Sequence, residues 1–308
     1  MSGDRWRNTG WYLSPTTTGA LLADIAGIGA YSEKANYAWR GMRSIDYDLV
    51  SSLQRTNIDA TEAMLRERES AILDEARSWG LGYGVGGWST DLQLLADLQH
   101  YGTSTRLIDV TSDPMTALWF ACQDVGEPDL TNSGVLIAID TAGWPRFGRS
   151  QPPGTWRSAG NPMGWELEAG LESGQPFVVH SLHPNDRLRA QNGYFVASRV
   201  PDRPNEGSPL AGLSLEFEVV PYKYPRHLLD DMLHNTHHVA RRRIPFIAVR
   251  VRSELKPRLR RILENSYNRS SRVLFPDFAG FRDFSETATP RSSEEEIDSK
   301  RPRKGGSV

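Results

Sequence analysis

The stretch LLADLQHYGTSTRLIDVTSDPMTALWFAC (Leu94–Cys122) contains a short polar segment between two apolar ones. Leucines and alanines recur at helical spacing over Thr90–His100, and Gly102 follows as a residue type that commonly ends a helix. The segment TSTRLIDVT (Thr103–Thr111) alternates β-branched and polar residues, which is typical of a strand or an extended turn. The stretch therefore predicts a helix, a short strand and a second helix in close succession.

The second helix has a well-marked start. Ser112 or Asp113 can accept the unpaired N–H groups of its first turn, and Pro114 suits the first helical position. Met115–Gln123 supplies the apolar body. Because apolar helices flank the polar segment, we expect it to be partly buried, and its charged side chains must then be paired or used in a site.

The rest of the chain predicts an α+β fold with a mixed, mostly antiparallel sheet flanked by helices. Asn36–Gly41 has the character of a buried strand that carries an arginine, and Gly134–Asp140 (GVLIAID) is a fully apolar strand. Charged and apolar residues at helical spacing predict a helix over Asp59–Trp79. Other strands are expected at Phe177–His180, Gly193–Ser198, Leu215–Val220 and Phe246–Val251, and other helices at Thr16–Ala26, Pro225–His238 and Leu255–Asn265. A second half rich in strands favours this class over a doubly wound sheet.

Composition narrows the function classes. The 36 Lys+Arg and 38 Asp+Glu residues give a formal net charge of −2, so no overall field attracts nucleic acid or an anionic membrane. No run approaches the ~18 apolar residues that cross a bilayer, which predicts a soluble protein. Cys122 is the single cysteine, and its apolar neighbours predict a buried thiol in a reducing compartment such as the cytoplasm.

Composition shifts along the chain divide it into an N-terminal segment (1–35), an α+β domain (36–284) and a disordered tail (285–308) rich in Ser, Glu, Arg and Lys. Within the domain, 143–161 (GWPRFGRSQPPGTWRSAGN) is predicted to be an irregular insertion loop. Long loops in compact domains usually have a function, so we expect this one to border the ligand pocket and to help select the substrate.

The polar segment and the end of the helix before it concentrate polar or ionisable side chains. These are Gln99, His100, Tyr101, Thr105, Arg106, Asp109 and Thr111. One interpretation is structural: Arg106 and Asp109 form a buried ion pair, and His100 caps the carboxyl end of its helix. The other interpretation is a binding or catalytic site, and the residues alone leave both open.

The run Leu94–Cys122 resembles the FRG domain family, in which a helix ends in His-Tyr-Gly and is followed by Thr-Arg-Leu-x-Asp and a helix that starts with proline. Three other pieces resemble elements of the same family: Trp39-Arg40-Gly41, Arg187–Phe195 (RLRAQNGYF) and Leu274–Gly280 (LFPDFAG). The sequence departs from the family pattern at Val110, where Trp is common, and at Thr103-Ser104, where Leu-Pro is common. Neither departure removes a titratable group.

The resemblance implies, by fold-level analogy, an ADP-ribosyltransferase-like architecture and a toxin or phage-defence setting. The implied activity is that of an ADP-ribosyltransferase or NAD glycohydrolase, with NAD as substrate and no metal. Arg40, Gly41, Thr105, Arg106 and Gln191 are then expected to bind the nucleotide, since arginine forms bidentate hydrogen bonds with phosphates. The expected catalytic residues are His100, Tyr101 and Asp109.

The resemblance leaves the identity of the catalytic acid open. Related folds more often use a late glutamate, and the candidates are Glu166, Glu168, Glu216 and Glu218. Glu216 and Glu218 alternate on a predicted strand and so share one face, which can equally be a solvated face. Gln191 also has two open interpretations: it can order a bound group in a site, or it can cap a helix.

For the remaining motifs, a structural interpretation is favoured over a functional one. His234 and His238 have the spacing of metal ligands on a helix, but Asn235 stands where a zincin has glutamate. The basic run Arg241–Arg243 can touch phosphates or form a solvated face. The expected partners are a nucleotide, with a nucleic-acid target or an antitoxin protein as further candidates, and no membrane. The alternatives to an enzyme are a non-catalytic module that senses a nucleotide or nucleic acid, and a purely structural interaction domain.

Overall fold

The computed structural model describes residues 12–56, 59–124, 132–148, 163–200, 212–213, 233, 244–278 and 280–282. The strands are β1 (Tyr12–Leu13), β2 (Tyr37–Met42), β3 (Tyr83–Gly84), β4 (Gly87–Trp88), β5 (Ile108–Thr111), β6 (Gly134–Asp140), β7 (Arg146–Phe147), β8 (Phe177–Val179), β9 (Gly193–Ala197) and β10 (Phe246–Val251). The helices are α1 (Thr18–Ala30), α2 (Ser52–Arg55), α3 (Glu62–Ser78), α4 (Asp91–His100), α5 (Pro114–Ala121), α6 (Trp165–Glu172), α7 (Asp186–Ala190), α8 (Lys256–Tyr267) and α9 (Ser271–Leu274).

Eight of these strands form one mixed sheet in the order β1-β10-β6-β2-β5-β9-β8-β7. Every pair between β10 and β8 is antiparallel, whereas β1 and β7 add to the two edges in parallel. The short strands β3 and β4 form a separate hairpin. The predicted α+β class, with a mixed, mostly antiparallel sheet flanked by helices, is confirmed.

Alternate residues of the central strands enter different apolar clusters, as the two-residue period of a strand requires. Trp39 and Leu136 pack with residues of α1, α5 and α8 on one face of the sheet. Ala38 and Ile137 belong to the cluster on the other face. Strand β6 is buried along its whole length, which explains why its sequence is continuously apolar.

The two helices of the stretch Leu94–Cys122 start at capping side chains. The hydroxyl of Thr90 accepts a hydrogen bond from the N–H of Gln93 at 3.3 Å, and a carboxylate oxygen of Asp113 accepts one from the N–H of Met115 at 2.9 Å. Of the two caps that the sequence allows for α5, Asp113 is therefore the one used. These caps fix the first residues of α4 and α5.

The prediction that the thiol of Cys122, at the end of α5, is buried is also confirmed. Cys122 is fully shielded from solvent, and burial raises its pKa to about 12, so it stays protonated at neutral pH. A protonated thiol is a poor nucleophile, which agrees with a structural role for this residue.

Several elements differ from the sequence-based expectation. Ser51 and Gln54 form a reciprocal capping box that starts α2, a helix that the sequence analysis did not predict. The glycine-rich stretch 80–87 contains the β3–β4 hairpin, and α6 was not predicted. The strand 215–220, nearly all of the helix 225–238, the tail 285–308 and most of the insertion loop lie outside the described residues, so the domain boundaries stay a prediction. Within the described ranges, no helix combines the length and apolar character needed to cross a membrane.

Gly41 lets α5 lie directly on the sheet. A Cβ atom at this position would be 1.7 Å from the backbone carbonyl oxygen of Ala117. Gly134, on the neighbouring strand β6, makes the same kind of approach, since its Cβ would be 2.2 Å from the carbonyl oxygen of Ala121. Close contact between α5 and the sheet thus depends on glycine at both positions.

We expect Gly41→Ala to lower the free energy of unfolding by about 3 kcal/mol, the upper end of the range for overpacking, because backbone rather than a flexible side chain must move. Urea denaturation followed by circular dichroism measures this change. Gly19→Ala is the matched control, since a Cβ at that exposed helical position meets nothing within 4 Å. The control should be neutral or slightly stabilising, and equal stability of both variants would contradict the steric argument.

Candidate functional site

A cavity of about 280 Å³ lies where β2 and β5 separate. Strand β2 pairs with β6 from Tyr37 to Met42, but its only register pair with β5 in the described residues is Trp39 with Thr111. Beyond that pair, the Nη1 atom of Arg40 donates a hydrogen bond to the backbone carbonyl oxygen of Asp109. A side chain thereby takes the place of a ladder hydrogen bond, and the opening between the strands becomes the floor of the cavity. We call it the inner cavity, and its lining residues include Trp39, Arg40, Gly41, Gln99, His100, Asp109, Thr116, Phe120, Arg187, Gln191 and Phe275.

Arg40 is the cation at the centre of this site. Its side chain is only 22% exposed, and Nη1 lies 3.7 Å from a carboxylate oxygen of Asp109. Its Nε atom is buried and has no hydrogen-bond partner among the described residues. Burial lowers the pKa of the Arg40 guanidinium, and the Asp109 carboxylate opposes that effect. Arginine remains protonated even so, and the site therefore holds a desolvated positive charge with hydrogen-bonding capacity to spare.

Asp109 is held by a chain of side-chain hydrogen bonds. Its Oδ2 atom accepts a hydrogen bond from Nε2 of Gln99 at 3.0 Å. The Oε1 atom of Gln99 accepts hydrogen bonds from the hydroxyls of Thr105 at 2.8 Å and Ser52 at 3.4 Å. Because two donors face the carbonyl end of this amide, its NH₂ group must point at the carboxylate. The chain orients an acid whose side chain is still 56% exposed.

His100 ends α4 and lines the inner cavity as a half-buried imidazole. Burial lowers its pKa, the positive charge of Arg187 lowers it further, and the carboxylates of Asp277 and Asp109 only partly offset both effects. The imidazole is thus neutral at pH 7 and offers one donor and one acceptor nitrogen. Tyr101 packs edge-on against this ring at 5.0 Å between centroids, but it is 83% exposed and does not line the cavity.

A further wall of the inner cavity comes from α7 and the segment after α9. Arg187 makes a bidentate ion pair with Asp277, with both N–O distances at 2.9 Å, and its guanidinium lies 4.8 Å from the ring centroid of Phe275. Hydrogen bonds from Arg187 are the main reason that the pKa of Asp277 is lowered. Gln191 ends α7, and its Nε2 donates to the carbonyl oxygen of Leu274 at 3.0 Å. Gln191 therefore has both a capping position and a place in the cavity lining.

An aromatic surface completes the cavity. The rings of Phe120 and Phe275 meet edge to face at 6.0 Å, and Trp119 packs against both. The approach of α5 onto Gly41 positions Phe120 at this wall. A larger cavity of about 990 Å³, which we call the outer cavity, adjoins the inner one and shares Arg40, Gly41, Phe120 and Phe275 with it.

The structure brings together most of the residues that the sequence singled out. Arg40, Gly41, His100, Asp109 and Gln191 all line the inner cavity, although their roles stay predictions. Gly41 was expected to bind the nucleotide, which stays a prediction, and in the structure its lack of a side chain lets α5 approach the sheet. Tyr101 and Thr105 do not line the cavity, and Thr105 acts on it through Gln99. Sequence reasoning missed Arg187 and Phe275, although each lies in a piece that resembles the FRG family.

The clearest correction to the sequence-based expectation concerns the ion-pair partners of Arg106. It is only 4% exposed and pairs with Glu69 at 2.7 Å and Glu62 at 3.1 Å, away from the inner cavity. Burial alone would lower the pKa of its guanidinium, but the two carboxylates outweigh burial and raise that pKa. The expected Arg106–Asp109 pair is wrong, because Asp109 pairs with Arg40 instead. The ion pairs of Arg106 link α3 to the start of β5 and are part of the core.

The two glutamate candidates that the structure describes lie away from the inner cavity. Glu166 is buried and accepts a hydrogen bond from the hydroxyl of Thr90 at 2.8 Å, and Glu168 lines a separate surface depression. The described residues do not include several other candidates, namely Glu216, Glu218, His234, His237, His238 and Arg241–Arg243. In the part of the chain that the structure describes, no cluster of His, Cys, Asp and Glu side chains could hold a metal ion. Asp109 is the acid that the structure places beside Arg40 and His100.

Fold and site together define a mixed α+β protein with an arginine-containing polar cavity at a split in its sheet. Residues 35–129, which include β2, α4, β5 and α5, match the family model of the FRG domain. This match supports the resemblance to the FRG domain over that part of the chain. A search of curated proteins gave no significant match, and a search of solved structures gave none either.

The buried ion group predicts a large stability effect without a direct effect on the cavity. We expect Arg106→Met to lower the free energy of unfolding by about 3–5 kcal/mol, because it leaves the fully buried Glu69 without its main partner. The double variant Arg106→Met/Glu69→Leu should recover much of the loss. Arg189→Met is the control, since the Arg189–Asp186 pair is exposed on both sides and its loss should cost less than about 1 kcal/mol. Similar values for Arg106→Met and the control, measured by urea denaturation, would refute the assignment.

His100 should titrate below the ordinary histidine pKa of 6.5 in the folded protein. We expect Arg187→Gln to raise this pKa, because the substitution removes a positive charge and releases Asp277 from its ion pair. Two-dimensional NMR of the imidazole protons against pH measures both values, with Arg189→Gln on the same helix as control. Because the folded-state pKa is lowered, this group stabilises the fold above the unfolded pKa, and that contribution is lost as the pH falls through the folded value. A His100 pKa above 6.5 in the wild type would show that burial and Arg187 do not dominate this imidazole.

Proposed function

We propose that this protein is an ADP-ribosyltransferase-like enzyme that binds an NAD-type nucleotide in the inner cavity and breaks the bond between nicotinamide and ribose. One observation supports this most: Arg40, His100 and Asp109 come from three different elements and line a single cavity. A cation, a neutral hydrogen-bonding ring and a carboxylate are the groups that such chemistry requires.

Arg40 is suited to the nucleotide's phosphate or ribose oxygens. Its guanidinium is desolvated, and its Nε lacks a hydrogen-bond partner among the described residues. An anion there would satisfy this donor and offset the cost of burying the charge. In this proposal Gln191 forms part of the binding surface, and the rings of Phe120 and Phe275 offer an apolar face to the nicotinamide ring.

The carboxylate of Asp109 supplies charge stabilisation at the reacting carbon. When the C1′–N bond breaks, its electron pair stays on the nicotinamide nitrogen, and neutral nicotinamide leaves. Positive charge then develops on C1′ and the ring oxygen of the ribose, where a nearby carboxylate stabilises it. Water or a nucleophile on a target molecule adds to C1′ and loses a proton to solvent, which gives hydrolysis or ADP-ribosyl transfer. Neutral His100 can hydrogen-bond to the ribose without adding to this positive charge.

A toxin or phage-defence effector is the biological setting that we propose, since loss of NAD or modification of an essential target would stop cell growth. This setting rests on the resemblance to the FRG family. The targets considered are nucleic acid or protein, and an antitoxin protein is the natural neutralising partner of such an enzyme.

One observation favours a second candidate, a non-catalytic nucleotide sensor. Asp109 already lies 3.7 Å from Arg40 and accepts a hydrogen bond from Gln99. A carboxylate with these partners stabilises a developing cation less strongly than a bare one. A protein with such a cavity would bind the nucleotide and change stability without releasing product.

The test is nicotinamide release from labelled NAD by the purified protein, alone, with nucleic acid and with cell lysate. We expect release by the wild type and a rate at least about 100-fold lower for Asp109→Asn, the usual scale for losing one electrostatic contact to the transition state. Arg40→Lys should raise KM by about tenfold, because lysine cannot form the bidentate contact. Arg189→Lys is the matched control, since this exposed arginine does not line the cavity.

The outcomes separate the two candidates. Thermal stabilisation by NAD without nicotinamide release would favour the sensor and refute the enzyme. No release and no stabilisation, in the wild type and at excess protein, would refute both. Equal release by the wild type and Asp109→Asn would leave the activity but remove Asp109 from it.

A further inference from the structure

The outer cavity is a large opening that the proposed reaction does not use. It has a volume of about 990 Å³ and meets the inner cavity along a wall shared through Arg40, Phe120 and Phe275. From these features we infer that it binds a nucleoside diphosphate group, with Arg40 and Arg55 on either side of the phosphates. This inference rests on the proposed function, and it extends that function by assigning a second subsite and a phosphate-binding role to Arg55, which lies outside the pieces that resemble the FRG family.

The charges around the outer cavity are only partly balanced. Its lining includes the cations Arg40, Arg43, Arg55 and Arg260 and the anions Asp46, Asp48 and Asp124. Arg260 is neutralised by Asp124, whose carboxylate is 2.6 Å away. Arg43 and Arg55 are exposed, and neither forms an ion pair with another described residue. Two guanidinium groups at one rim therefore remain available to a ligand.

Arg40 and Arg55 are close enough to influence each other. After burial, which is the largest effect, the positive charge of Arg55 also lowers the pKa of Arg40, while Asp109 acts in the opposite direction. Two like charges that repel across a cavity wall are stabilised by an anion placed between them. A diphosphate suits this position because it carries adjacent negative charges and can accept bidentate hydrogen bonds from both guanidinium groups.

The size and the aromatic lining of the outer cavity favour more than a free phosphate ion. Its volume falls in the range of about 300–1,000 Å³ that is usual for small-molecule sites. Tyr47, which is 40% exposed, and the rings of Phe120 and Phe275 offer faces to a base or a ribose. Asp46 and Asp48 keep the surface from being uniformly positive, which disfavours long polyanions such as nucleic acid. A nucleoside diphosphate meets these conditions, and its free end would extend along the shared wall into the inner cavity.

Calorimetric titration of the full-length chain with ADP and with adenosine tests this assignment. We expect Arg55→Gln to weaken ADP binding by about tenfold, the scale of one charge-assisted contact, and to change adenosine binding by less than about twofold. Arg55→Lys should recover part of the loss, since lysine keeps the charge without the fork. The control is Arg258→Gln, an exposed arginine on α8 that lines a different surface depression.

The ADP loss should also shrink at high salt, because the contact is exposed and electrostatic. Equal ADP binding by Arg55→Gln and Arg258→Gln would overturn the inference, as would an equal loss of ADP and adenosine. Arg55 lies at the exposed end of α2, and unchanged urea denaturation of the variant would rule out unfolding as the cause of any loss.

The experiment is independent of turnover, which separates this inference from the proposed activity. ADP binding that depends on Arg55, together with no nicotinamide release, would support the outer subsite and refute the enzyme. Nicotinamide release together with ADP binding that ignores Arg55 would support the enzyme and refute the outer subsite.

Discussion

The hydrogen bond from the Arg40 guanidinium to the backbone carbonyl of Asp109 is the interaction on which the site depends. A strand carbonyl in a sheet needs a donor, and in a regular sheet the neighbouring strand would provide it. In this protein a side chain does so, which satisfies the backbone while the strands stay apart. Strand β2 cannot simply move back toward β5, because β6 holds it along the other edge and α5 rests on Gly41. The opening is therefore a stable part of the fold. The guanidinium of Arg40 lies in it because this group supplies the hydrogen bond to the Asp109 carbonyl.

Two ion-pair groups near the same short strand have different consequences. Around Arg106, the carboxylates of Glu62 and Glu69 both pair with one buried guanidinium, so this group acts as core. Around Arg40, the partner carboxylate is half exposed and a cavity begins beside it. Both groups contain an arginine and carboxylates, and each arginine has a buried nitrogen without a hydrogen-bond partner, but only the second group opens onto the inner cavity. The difference between a structural pair and a candidate site thus lies in access, which sequence does not display.

Much of the fold could be predicted because the patterns are local. The apolar run of β6 and the cap-and-proline start of α5 need no knowledge of distant residues. Arg40 and His100 could be placed in one site only through resemblance to the FRG family, since nothing between them signals their proximity. Arg106 was assigned to the site because it lies between Thr105 and Asp109, yet its partners come from α3, where alternating charges are typical of a solvated face. The Arg187–Asp277 pair escaped prediction for the same reason, as its members lie far apart in the chain.

That last pair has a consequence for how the protein is made. Arg40, His100 and Phe120 all precede residue 125, whereas Phe275 and Asp277 emerge from the ribosome long after them. A chain that ends at residue 270 contains the sequence of every described sheet strand but lacks Phe275, whose ring packs on Arg187. The inner cavity is thereby completed by its latest-synthesised wall, and a chain that stopped before Phe275 would contain Arg40, His100 and Arg187 without the ring that packs on Arg187.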